Sequence, residues 1–373
     1  MFKFLQAYKT NKMEKKGLFA TLMFAVLAIA LFQPSVQSLD SAMSEELSWV
    51  GRFEKYQGNP ILSPRGTGFE AMAVFNPAII LNNGKFYMFY RAEAWCPENW
   101  EPWNVRPEGW TEEKEWPGIS VIGLAVSNDR ISFKRTDKPL IIPEYRYENI
   151  GGCEDPRIVK IEDTFYLTYT GVGSKNRISK LCLATSKDLI NWEKCGPIID
   201  WDGVKSGAII PEKINGKYWM YFGDTNIWLA NSKDLIHWKC DKEKDVVLRP
   251  REGYFDSKLV EPGPAPIMTE DGILLIYNGA IKGAEPRMGH YTCMIGQKNL
   301  RKYATGWALF SKTDSSKLIA RCEKTILEVT EDFERNGQVS NVVFAEGLVK
   351  KEDKYYLYYG CADTYIGVAL SEG

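Results

Sequence analysis

One pattern recurs five times along this chain of 373 residues and sets the strongest limit on its fold. Each copy has a start that is turn-like or contains proline, then an apolar segment, a polar turn and an aromatic segment. The copies span residues 75–90, 154–169, 210–222, 263–277 and 344–359. Turn dipeptides such as Asn83-Gly84 and Glu162-Asp163, placed between apolar runs, favour β-hairpins. A hairpin repeated five times indicates an architecture built from equivalent units.

A third apolar segment follows the hairpins and ends in a similar turn, as in residues 124–129, 183–188 and 229–234. Two of these segments continue into residues 190–192 and 236–238, which we interpret as a fourth, outer strand. Four short antiparallel strands repeated around an axis make a β-propeller. We therefore predict an all-β chain in which residues 45–373 form a single five-bladed β-propeller domain, with no helix longer than a turn or two.

Residues 1–38 are predicted to be a signal peptide that is removed from the mature protein. Lys15 and Lys16 precede an apolar run over residues 18–32, and small and polar residues follow through Ser38. The apolar run is shorter than the ~20 residues that span a bilayer, which favours a cleaved signal over a membrane anchor. The sequence thus predicts export to the periplasm or the extracellular space, with no stable membrane span after the signal is removed.

The amino-acid composition excludes several classes of function. Lys and Arg total 47 against 48 Asp and Glu, so there is no basic excess to attract a nucleic acid. The chain has 12 Trp, 19 Tyr and 17 Phe, whose flat faces can stack on sugar rings, but only His237 and His290 as histidines. A multi-histidine metal site or a Ser-His-Asp triad is therefore nearly excluded, and we expect neither a metal nor a cofactor. The eight cysteines are scattered without a Cys-x-x-Cys motif, and most are expected to be buried small side chains.

Polar residues fall at equivalent positions of the repeats. The innermost strand of each propeller blade faces the central channel, so the starts of these strands present side chains at one mouth. These starts contribute Asn76, Glu154, Asp155, Glu212, Glu261 and Glu346, and the connections after the second strands contribute Arg91, Glu93, Asp224, Asn278 and Asp363. Acidic residues at strand ends often only cap turns, but their recurrence favours a site on the axis. We expect the cavity to be lined by Asn76, Asp155, Glu212, Glu261 and Asp363.

A pocket lined by carboxylates suits glycoside cleavage. Two carboxyl groups flank the scissile bond, one donating a proton to the leaving oxygen and the other activating the nucleophile. Crowding of carboxylates pushes their pKa values apart and so separates the two roles. The first repeat also carries an insertion with five tryptophans, at positions 95, 100, 103, 110 and 116. This insertion is either a surface loop with its own small core or a rim that stacks sugars, and the two interpretations are compatible.

Several motifs resemble those of glycoside hydrolase family 130, over about residues 50–371. They are Phe75-Asn76-Pro77, Tyr90-Arg91-Ala92-Glu93, Glu154-Asp155-Pro156-Arg157, Pro211-Glu212-Lys213 and Tyr359-Gly360-Cys361-Ala362-Asp363-Thr364. The resemblance implies a five-bladed propeller that acts on β-mannosides. Most members are phosphorylases that use inorganic phosphate, and a smaller group are hydrolases that release mannose from β-1,2-linked mannosides. It further implies that Asp155 is the general acid and that Asn76, Arg91 and Asp363 hold the mannose ring.

The chain departs from the phosphorylase pattern where phosphate would bind. The phosphorylases that it resembles carry an Arg after the second strand of blade 3 and a His in a Tyr-His-Gly motif of blade 4. Here the corresponding stretches are Phe222-Gly223-Asp224 and Tyr277-Asn278-Gly279, and only Lys205 remains near the place of a basic ligand. A phosphate dianion needs a cationic cradle. The departure therefore favours the hydrolase group.

The sequence thus predicts an exo-acting, inverting β-mannosidase for mannoside oligosaccharides, most consistent with β-1,2 linkages. The alternatives are a β-mannoside phosphorylase that produces mannose 1-phosphate and a non-catalytic sugar-binding propeller. Asp155 is the predicted acid, with Glu212 or Glu154 as the alternative. Glu261 is the preferred base and Asp224 the second candidate, because Glu261 has a rigid Pro-Gly flank whereas Asp224 lies on a loop.

The predicted substrate contacts are Asn76, Arg91, Glu93, Glu154, Arg157, Lys205, Glu212, Asn278 and Asp363. For Arg157 the sequence leaves two further roles open, the orientation of Asp155 and a structural ion pair. The sequence does not determine the oligomeric state or the disulfides.

Overall fold

The computed structural model describes residues 45–51, 53–95, 118–173, 178–281 and 302–372. The predicted signal segment lies outside these residues, as does the tryptophan-rich insertion apart from the backbone of Trp95. Among the described residues, no helix has the length and apolar character needed to cross a membrane.

The regular secondary structure of the described residues is almost entirely β-strand. The strands are β1 Glu54–Lys55, β2 Ala73–Asn82, β3 Lys85–Trp95, β4 Gly118–Ser127, β5 Lys134–Arg135, β6 Gly152–Ile161, β7 Thr164–Gly173, β8 Ile178–Ser186, β9 Trp192–Pro197, β10 Ala208–Ile209, β11 Tyr218–Phe222, β12 Ile227–Ser232, β13 Trp238–Lys239, β14 Val246–Leu248, β15 Leu259–Pro262, β16 Ile267–Met268, β17 Ile273–Ala280, β18 Tyr303–Phe310, β19 Leu318–Arg321, β20 Val343–Lys351, β21 Lys354–Cys361 and β22 Tyr365–Glu372. Helical structure in the described ranges consists of 3-10 turns at Glu45–Gly51, Gly68–Glu70 and Arg146–Glu148 and one short helix, α1, at Asp332–Arg335. The all-β class is therefore confirmed.

Antiparallel pairing arranges the described strands in five four-stranded sets. The sets are β2-β3-β4-β5, β6-β7-β8-β9, β10-β11-β12-β13, β15-β17-β18-β19 and β20-β21-β22-β1, with β14 added to β12 and β16 added to β17. A single parallel bridge between Ser120 and Gly152 joins the first two sets into one sheet. The fifth set is completed from the other end of the described chain, because Glu54 of β1 pairs with Leu370 of β22.

The sets contact one another in a closed order. β2 contacts β6, β6 contacts β10, β11 contacts β15, β18 contacts β20, and β20 contacts β2. This order is the one expected of sheets placed around an axis, each packed on the next. The five-bladed propeller remains our interpretation of that order.

Apolar clusters fill the space between neighbouring sets. One cluster joins the first and fifth sets through Tyr90 and Tyr358, and another joins the first and second through Phe89 and Leu167. Alternation along each strand supplies these faces, because successive side chains point to opposite sides of a sheet. Apolar side chains fill the space between the sets, and polar side chains are grouped at the starts of the inner strands.

A buried carboxylate that binds a tyrosine hydroxyl and a basic side chain recurs in four of the five sets. The trios are Glu70, Tyr90 and Arg135; Glu148, Tyr169 and Lys194; Asp256, Tyr277 and Arg321; and Glu334, Tyr359 and Lys55. In the third set Tyr221 instead donates to the carbonyl of Ser315. The carboxylates are at most 1 % exposed. Their pairing satisfies charges that would otherwise be costly to bury.

The six cysteines within the described residues are all free. Cys153, Cys182, Cys322 and Cys361 are buried, as expected for small apolar side chains, whereas Cys195 is exposed and Cys240 is partly buried. Burial raises the pKa of the Cys182 thiol to about 12, which keeps it protonated and unreactive.

Candidate active site

Irregularities in strand pairing shape the starts of three inner strands. The pairing register shifts at Asn76 in β2, at Asp155 in β6 and at Glu346 in β20. Such β-bulges re-aim the side chain of the extra residue. Asn76 and Asp155 also have positive φ angles, 49° and 50°, which non-glycine residues rarely adopt. Equivalent positions of three repeats thus carry a backbone distortion that presents a polar side chain.

Arg91 forms ion pairs with acidic side chains of the first two sets. Its Nη2 lies 2.5 Å from Glu93 Oε1 and 3.1 Å from Glu154 Oε1, and its Nη1 lies 3.2 Å from Asp155 Oδ1. Asn76 Nδ2 donates to the same Asp155 oxygen at 2.8 Å. The structure therefore brings these five predicted site residues together, with Asp155 bound by two of them.

Two residues that the sequence analysis did not single out hold Glu93. Ser120 Oγ donates to Glu93 Oε1 at 3.0 Å, and Gln338 Nε2 donates to Glu93 Oε2 at 2.9 Å. Gln338 Nε2 also donates to the carbonyl of Asp363 at 3.1 Å, which adds the fifth set to the site. Ser120 lies within an apolar strand and Gln338 lies in the connection between α1 and β20, so neither is at the start of an inner strand or after a second strand. The repeat pattern therefore contained no signal for either residue.

A second charged group comes from the third and fourth sets. Lys205 Nζ lies 3.8 Å from Asp224 Oδ2. Ser206, which has a φ of 63°, donates a short hydrogen bond to Glu261 Oε1. Glu261 lies in β15, opposite Asn278 of β17. The two candidate bases and the one predicted basic ligand are thus neighbours.

Arg157 joins the two charged groups. Its Nη1 donates to the Asp155 carbonyl at 3.0 Å and its Nη2 donates to the Pro262 carbonyl at 2.9 Å. The same Nη2 lies 2.9 Å from Glu346 Oε1 and 4.0 Å from Glu261 Oε1. Because Arg157 is only 2 % exposed and bonds protein groups, the structure does not support its predicted contact with substrate. Of the roles that the sequence left open, it favours orientation of Asp155 and an ion pair.

The prediction that Glu212 lines the cavity is wrong. The inner strand of the third set is β10, and Lys205 and Ser206 lie at its start. Glu212 follows the strand, is exposed, and lies in the turn that leads to β11. The Pro211-Glu212 sequence resembles the starts of other repeats, but it occurs at the opposite end of a strand that is only two residues long.

Asn278 is part of the framework between the fourth and fifth sets. Its Nδ2 donates to the Ala345 carbonyl at 2.9 Å, and its Oδ1 accepts from the Ala345 N–H at 2.8 Å and from Thr305 Oγ1 at 3.0 Å. The residue is fully buried. The predicted contact of Asn278 with substrate is therefore not supported, because these bonds already engage its amide oxygen and nitrogen within the protein.

Burial and charge give the carboxyl groups different pKa values. Burial raises the pKa of Glu154 to about 7 despite the attraction of Arg91, and it also raises the pKa of Asp363 to about 7. Burial alone would raise the pKa of Asp155, but Arg91 first, followed by Lys205, outweighs it and holds that pKa below its usual range. Asp155 is therefore the more acidic group of the site, and Glu154 and Asp363 hold their protons to higher pH.

The side of the site around Lys205 combines one cation with two carboxylates. Burial would lower the pKa of Lys205, but Glu261 first and then Asp224 raise it, so that the side chain stays charged. Burial raises the pKa of Glu261, against the opposing effect of Lys205. The positive charge of Lys205 is thus already balanced within the protein.

Comparison with known proteins identifies the family. The sequence model for family 130 of the glycoside hydrolases, described as β-1,4-mannooligosaccharide phosphorylase, matches residues 110–372. The chain belongs to glycoside hydrolase family 130. The resemblance seen in the sequence motifs is thereby confirmed.

Two relatives of this family 130 member are named as phosphorylases. A 1,2-β-oligomannan phosphorylase of Thermoanaerobacter sp. is 39 % identical over 324 residues, which cover 86 % of this chain and 97 % of the relative. A β-1,2-mannobiose phosphorylase of Listeria innocua is 29 % identical, over 83 % of this chain and 93 % of the relative. Both relatives are enzymes that act on mannosides.

Solved structures with the same fold include hydrolases. A glycosyl hydrolase of Bacteroides ovatus has a TM-score of 0.73 at 32 % identity, with 88 % of this chain and 95 % of that chain covered. Another structure has a TM-score of 0.73 at 33 % identity, with the same shares covered. Its description says that this family of mannoside phosphorylases contains glycoside hydrolases that target β-1,2 mannosidic linkages in Candida mannan. The family thus includes both kinds of enzyme.

Proposed function

We propose that this family 130 member cleaves terminal β-1,2-mannosidic bonds with inversion, and that Asp155 protonates the leaving oxygen. The observation that carries the proposal is the convergence of Asn76 and Arg91 on Asp155, with Glu261 tied to the same site through Arg157. Two carboxyl groups held in one site can divide the roles of acid and base between them. The β-1,2 linkage is supported by the substrates in the relatives' names.

The acid has to acquire its proton when substrate binds, because the cations around Asp155 keep it ionised in the free protein. Glu154 precedes Asp155 in the chain and has a pKa of about 7. A sugar that contacts Arg91 and excludes water would change the balance between the two neighbouring carboxyl groups. Glu154 is accordingly the alternative acid.

Water is the acceptor that the charges favour. Lys205 lies beside Asp224 and Glu261, and the other cation near Glu261, Arg157 at 4.0 Å, is already bonded to protein carbonyls and Glu346. A phosphate dianion beside two carboxylates would meet repulsion of several kcal/mol in a site of low effective dielectric. A carboxylate with an open side can instead accept a proton from an attacking water. Glu261 is the proposed base because Ser206 orients it, and Asp224 is the second candidate.

Phosphate is the second candidate acceptor, and the names of the curated relatives favour it over water. The relatives at 39 % and 29 % identity are phosphorylases. Lys205 remains charged and offers a phosphate oxygen one positive partner. Under this alternative the product is mannose 1-phosphate.

A single assay separates these reactions. The protein is incubated with β-1,2-mannobiose in buffers with and without inorganic phosphate, and the products are followed by proton NMR. Hydrolysis releases free mannose, initially as the α-anomer, at a rate that phosphate does not increase. Formation of α-mannose 1-phosphate, with a rate that rises with phosphate, would establish the phosphorylase instead. Binding without cleavage in either buffer would contradict both and leave a sugar-binding protein.

We also infer that the five strand sets are the blades of a propeller formed by residues 45–373 and that residues 1–38 direct export. The closed order of contacts supports the first inference, and the charged, apolar and small-residue stretches of the N-terminus support the second. Cell fractionation followed by N-terminal sequencing tests the export. A chain recovered only in the cytosol, with its N-terminal segment intact, would contradict it.

A further inference from the structure

The guanidinium of Arg157 contacts three inner strands. It belongs to β6, where it donates to the Asp155 carbonyl, and it donates to β15 and the residue after it, through the carbonyls of Pro262 at 2.9 Å and Gly263 at 3.2 Å. It reaches β20 through its ion pair with Glu346. One side chain thus connects the strand of the proposed acid with the strand of the proposed base.

Glu346 forms a buried ion pair with this guanidinium. It is 1 % exposed, and its two carboxylate oxygens have no hydrogen-bond partner of good geometry in the described part of the chain. Its close charged neighbour is Arg157, at 2.9 Å. A buried carboxylate in this position is costly unless the cation beside it is kept in place. Glu346 therefore restrains the guanidinium at Nη2, the nitrogen that also donates to the Pro262 carbonyl.

We propose that Arg157 is a positioning residue that sets the separation between Asp155 and Glu261, and that Glu346 holds Arg157 for this purpose. This inference rests on the proposed function. Inversion requires two carboxyl groups about 6.5–9.5 Å apart with a nucleophile between them. Arg157 bonds the backbone of Asp155 and lies 4.0 Å from Glu261, so a shift of its guanidinium moves both partners relative to each other.

Arginine suits this role better than lysine does. The planar guanidinium presents five N–H donors in a fixed fork and can serve several carbonyls at once. A lysine keeps the positive charge for Glu346 but cannot bond the carbonyls of Asp155, Pro262 and Gly263 together. Arg157→Lys therefore removes the geometric restraint while it preserves the charge.

The test compares Arg157→Lys with Arg321→Lys. Arg321 is also a buried arginine with a carboxylate partner, Asp256, but it belongs to the trio of the fourth set. On β-1,2-mannobiose we expect kcat of Arg157→Lys to fall about 10- to 100-fold with KM within about threefold of the wild type, because a displacement near 1 Å has effects of this size. Arg321→Lys should lower the melting temperature and leave kcat of the folded enzyme unchanged.

A second substrate shows which partner Arg157 acts on. An aryl β-mannoside with a good leaving group needs little help from the acid but still needs the base. Because Arg157 positions both carboxyl groups, Arg157→Lys should be slower than the wild type on this substrate too, by a smaller factor. Wild-type kcat on both substrates in a folded Arg157→Lys variant would overturn the proposal, as would a change confined to KM.

Glu346→Gln provides the same test if Arg157→Lys does not fold. The amide keeps the shape of the side chain and removes the ion pair, so kcat should fall with little change in KM. An unchanged kcat in a folded Glu346→Gln variant would overturn the proposal. If the wild-type protein cleaves neither substrate in either buffer, the proposed function itself fails and this inference falls with it.

Discussion

Asp155 is the residue on which the chemistry depends, and its surroundings act on it in two opposed ways. Asn76 and Arg91 both bind its Oδ1, which fixes the carboxylate in position. The same cation keeps the pKa of Asp155 below its usual range, which opposes its use as an acid in the free protein. The free protein thus holds the Asp155 carboxylate in position, but Asp155 must take up its proton after the sugar has bound.

Asp155→Asn should keep the fold and reduce cleavage of β-1,2-mannobiose about 10²- to 10⁴-fold, because the amide has no acidic proton to donate. An aryl mannoside with a good leaving group should lose much less activity. Initial rates on both substrates, with melting temperatures as a check on folding, give the comparison. Near-normal cleavage of mannobiose by the variant would move the role of acid to Glu154.

Glu261→Gln should abolish hydrolysis while mannose binding persists, because the amide cannot accept a proton from water. Added azide or formate should restore part of the turnover by taking the place of the water. Glu212→Gln is the matched control, since Glu212 is exposed in a turn away from the inner strand's start and its replacement should leave the rate within about twofold. Hydrolysis that survives in Glu261→Gln but is lost in Asp224→Asn would make Asp224 the base.

Glu154 makes the stability of the protein depend on pH in a defined direction. Burial raises its pKa from an ordinary value near 4.5 to about 7 in the folded protein. The folded protein therefore binds this proton more tightly than the unfolded chain does. Its stabilising contribution is complete below about pH 4.5 and is lost as the pH rises to about 7.

Glu154→Gln should remove this dependence. The free energy of unfolding of the variant should rise relative to that of the wild type between pH 5 and pH 8, by a few kcal/mol at most, because only the wild type loses stability as Glu154 ionises. Urea unfolding at several pH values measures it, with Glu212→Gln again as control. A difference between variant and wild type that stays constant across this range would rule out the titration of Glu154.

At the scale of elements, strand β1 has only two residues and yet completes the fifth set. Lys55 of β1 reaches across to Glu334, with Nζ 2.6 Å from Oε2, and also donates to Thr330 Oγ1 at 2.8 Å. Glu334 is fully buried and accepts the hydroxyl of Tyr359. The attachment of this strand therefore combines backbone pairing with a buried charged contact.

Lys55→Met should lower the free energy of unfolding by about 1–3 kcal/mol, because it leaves a buried carboxylate without its cation. The rate per folded molecule should not change, since Lys55 is in a trio outside the candidate site. Denaturant unfolding and activity measured on the same samples test both statements. Lys85→Met, at an exposed lysine of β3, is the matched control. Equal stability of the two variants would show that the trio of the fifth set contributes little.

Elements also explain which parts of the site could be predicted. The hairpins of the first, second and fifth repeats are long and regular, so the positions of Asn76, Asp155 and Asp363 could be aligned from the sequence. The third repeat has a two-residue inner strand, and there Pro211-Glu212 was aligned with the wrong end of it. Ser206 was missed because its role depends on a positive φ, which sequence alone does not reveal.

For the whole molecule, the sequence predicts the all-β class and the fivefold repetition, because turn dipeptides and alternating apolar strands are local signals. Contacts between repeats join residues that are far apart in the chain, so local signals do not predict them. The local motif singles out Arg157, but its bond to Pro262 spans 105 residues of the chain, and the bond of Gln338 to Glu93 spans 245. No local pattern indicates these two bonds, which become visible only when the sets are placed side by side.

The pairing of β1 with β22 determines when, during synthesis, the fifth set can be completed. Glu54 is among the first described residues to be synthesised, and its partner Leu370 is nearly the last. At the 5–20 residues per second typical of synthesis, this separation corresponds to roughly 15–60 s. Throughout that interval β1 lacks its partner β22, and until residue 334 has been made Lys55 lacks its carboxylate partner Glu334. Completion of the fifth set therefore follows synthesis of β22, and a nascent chain must keep β1 unpaired until then.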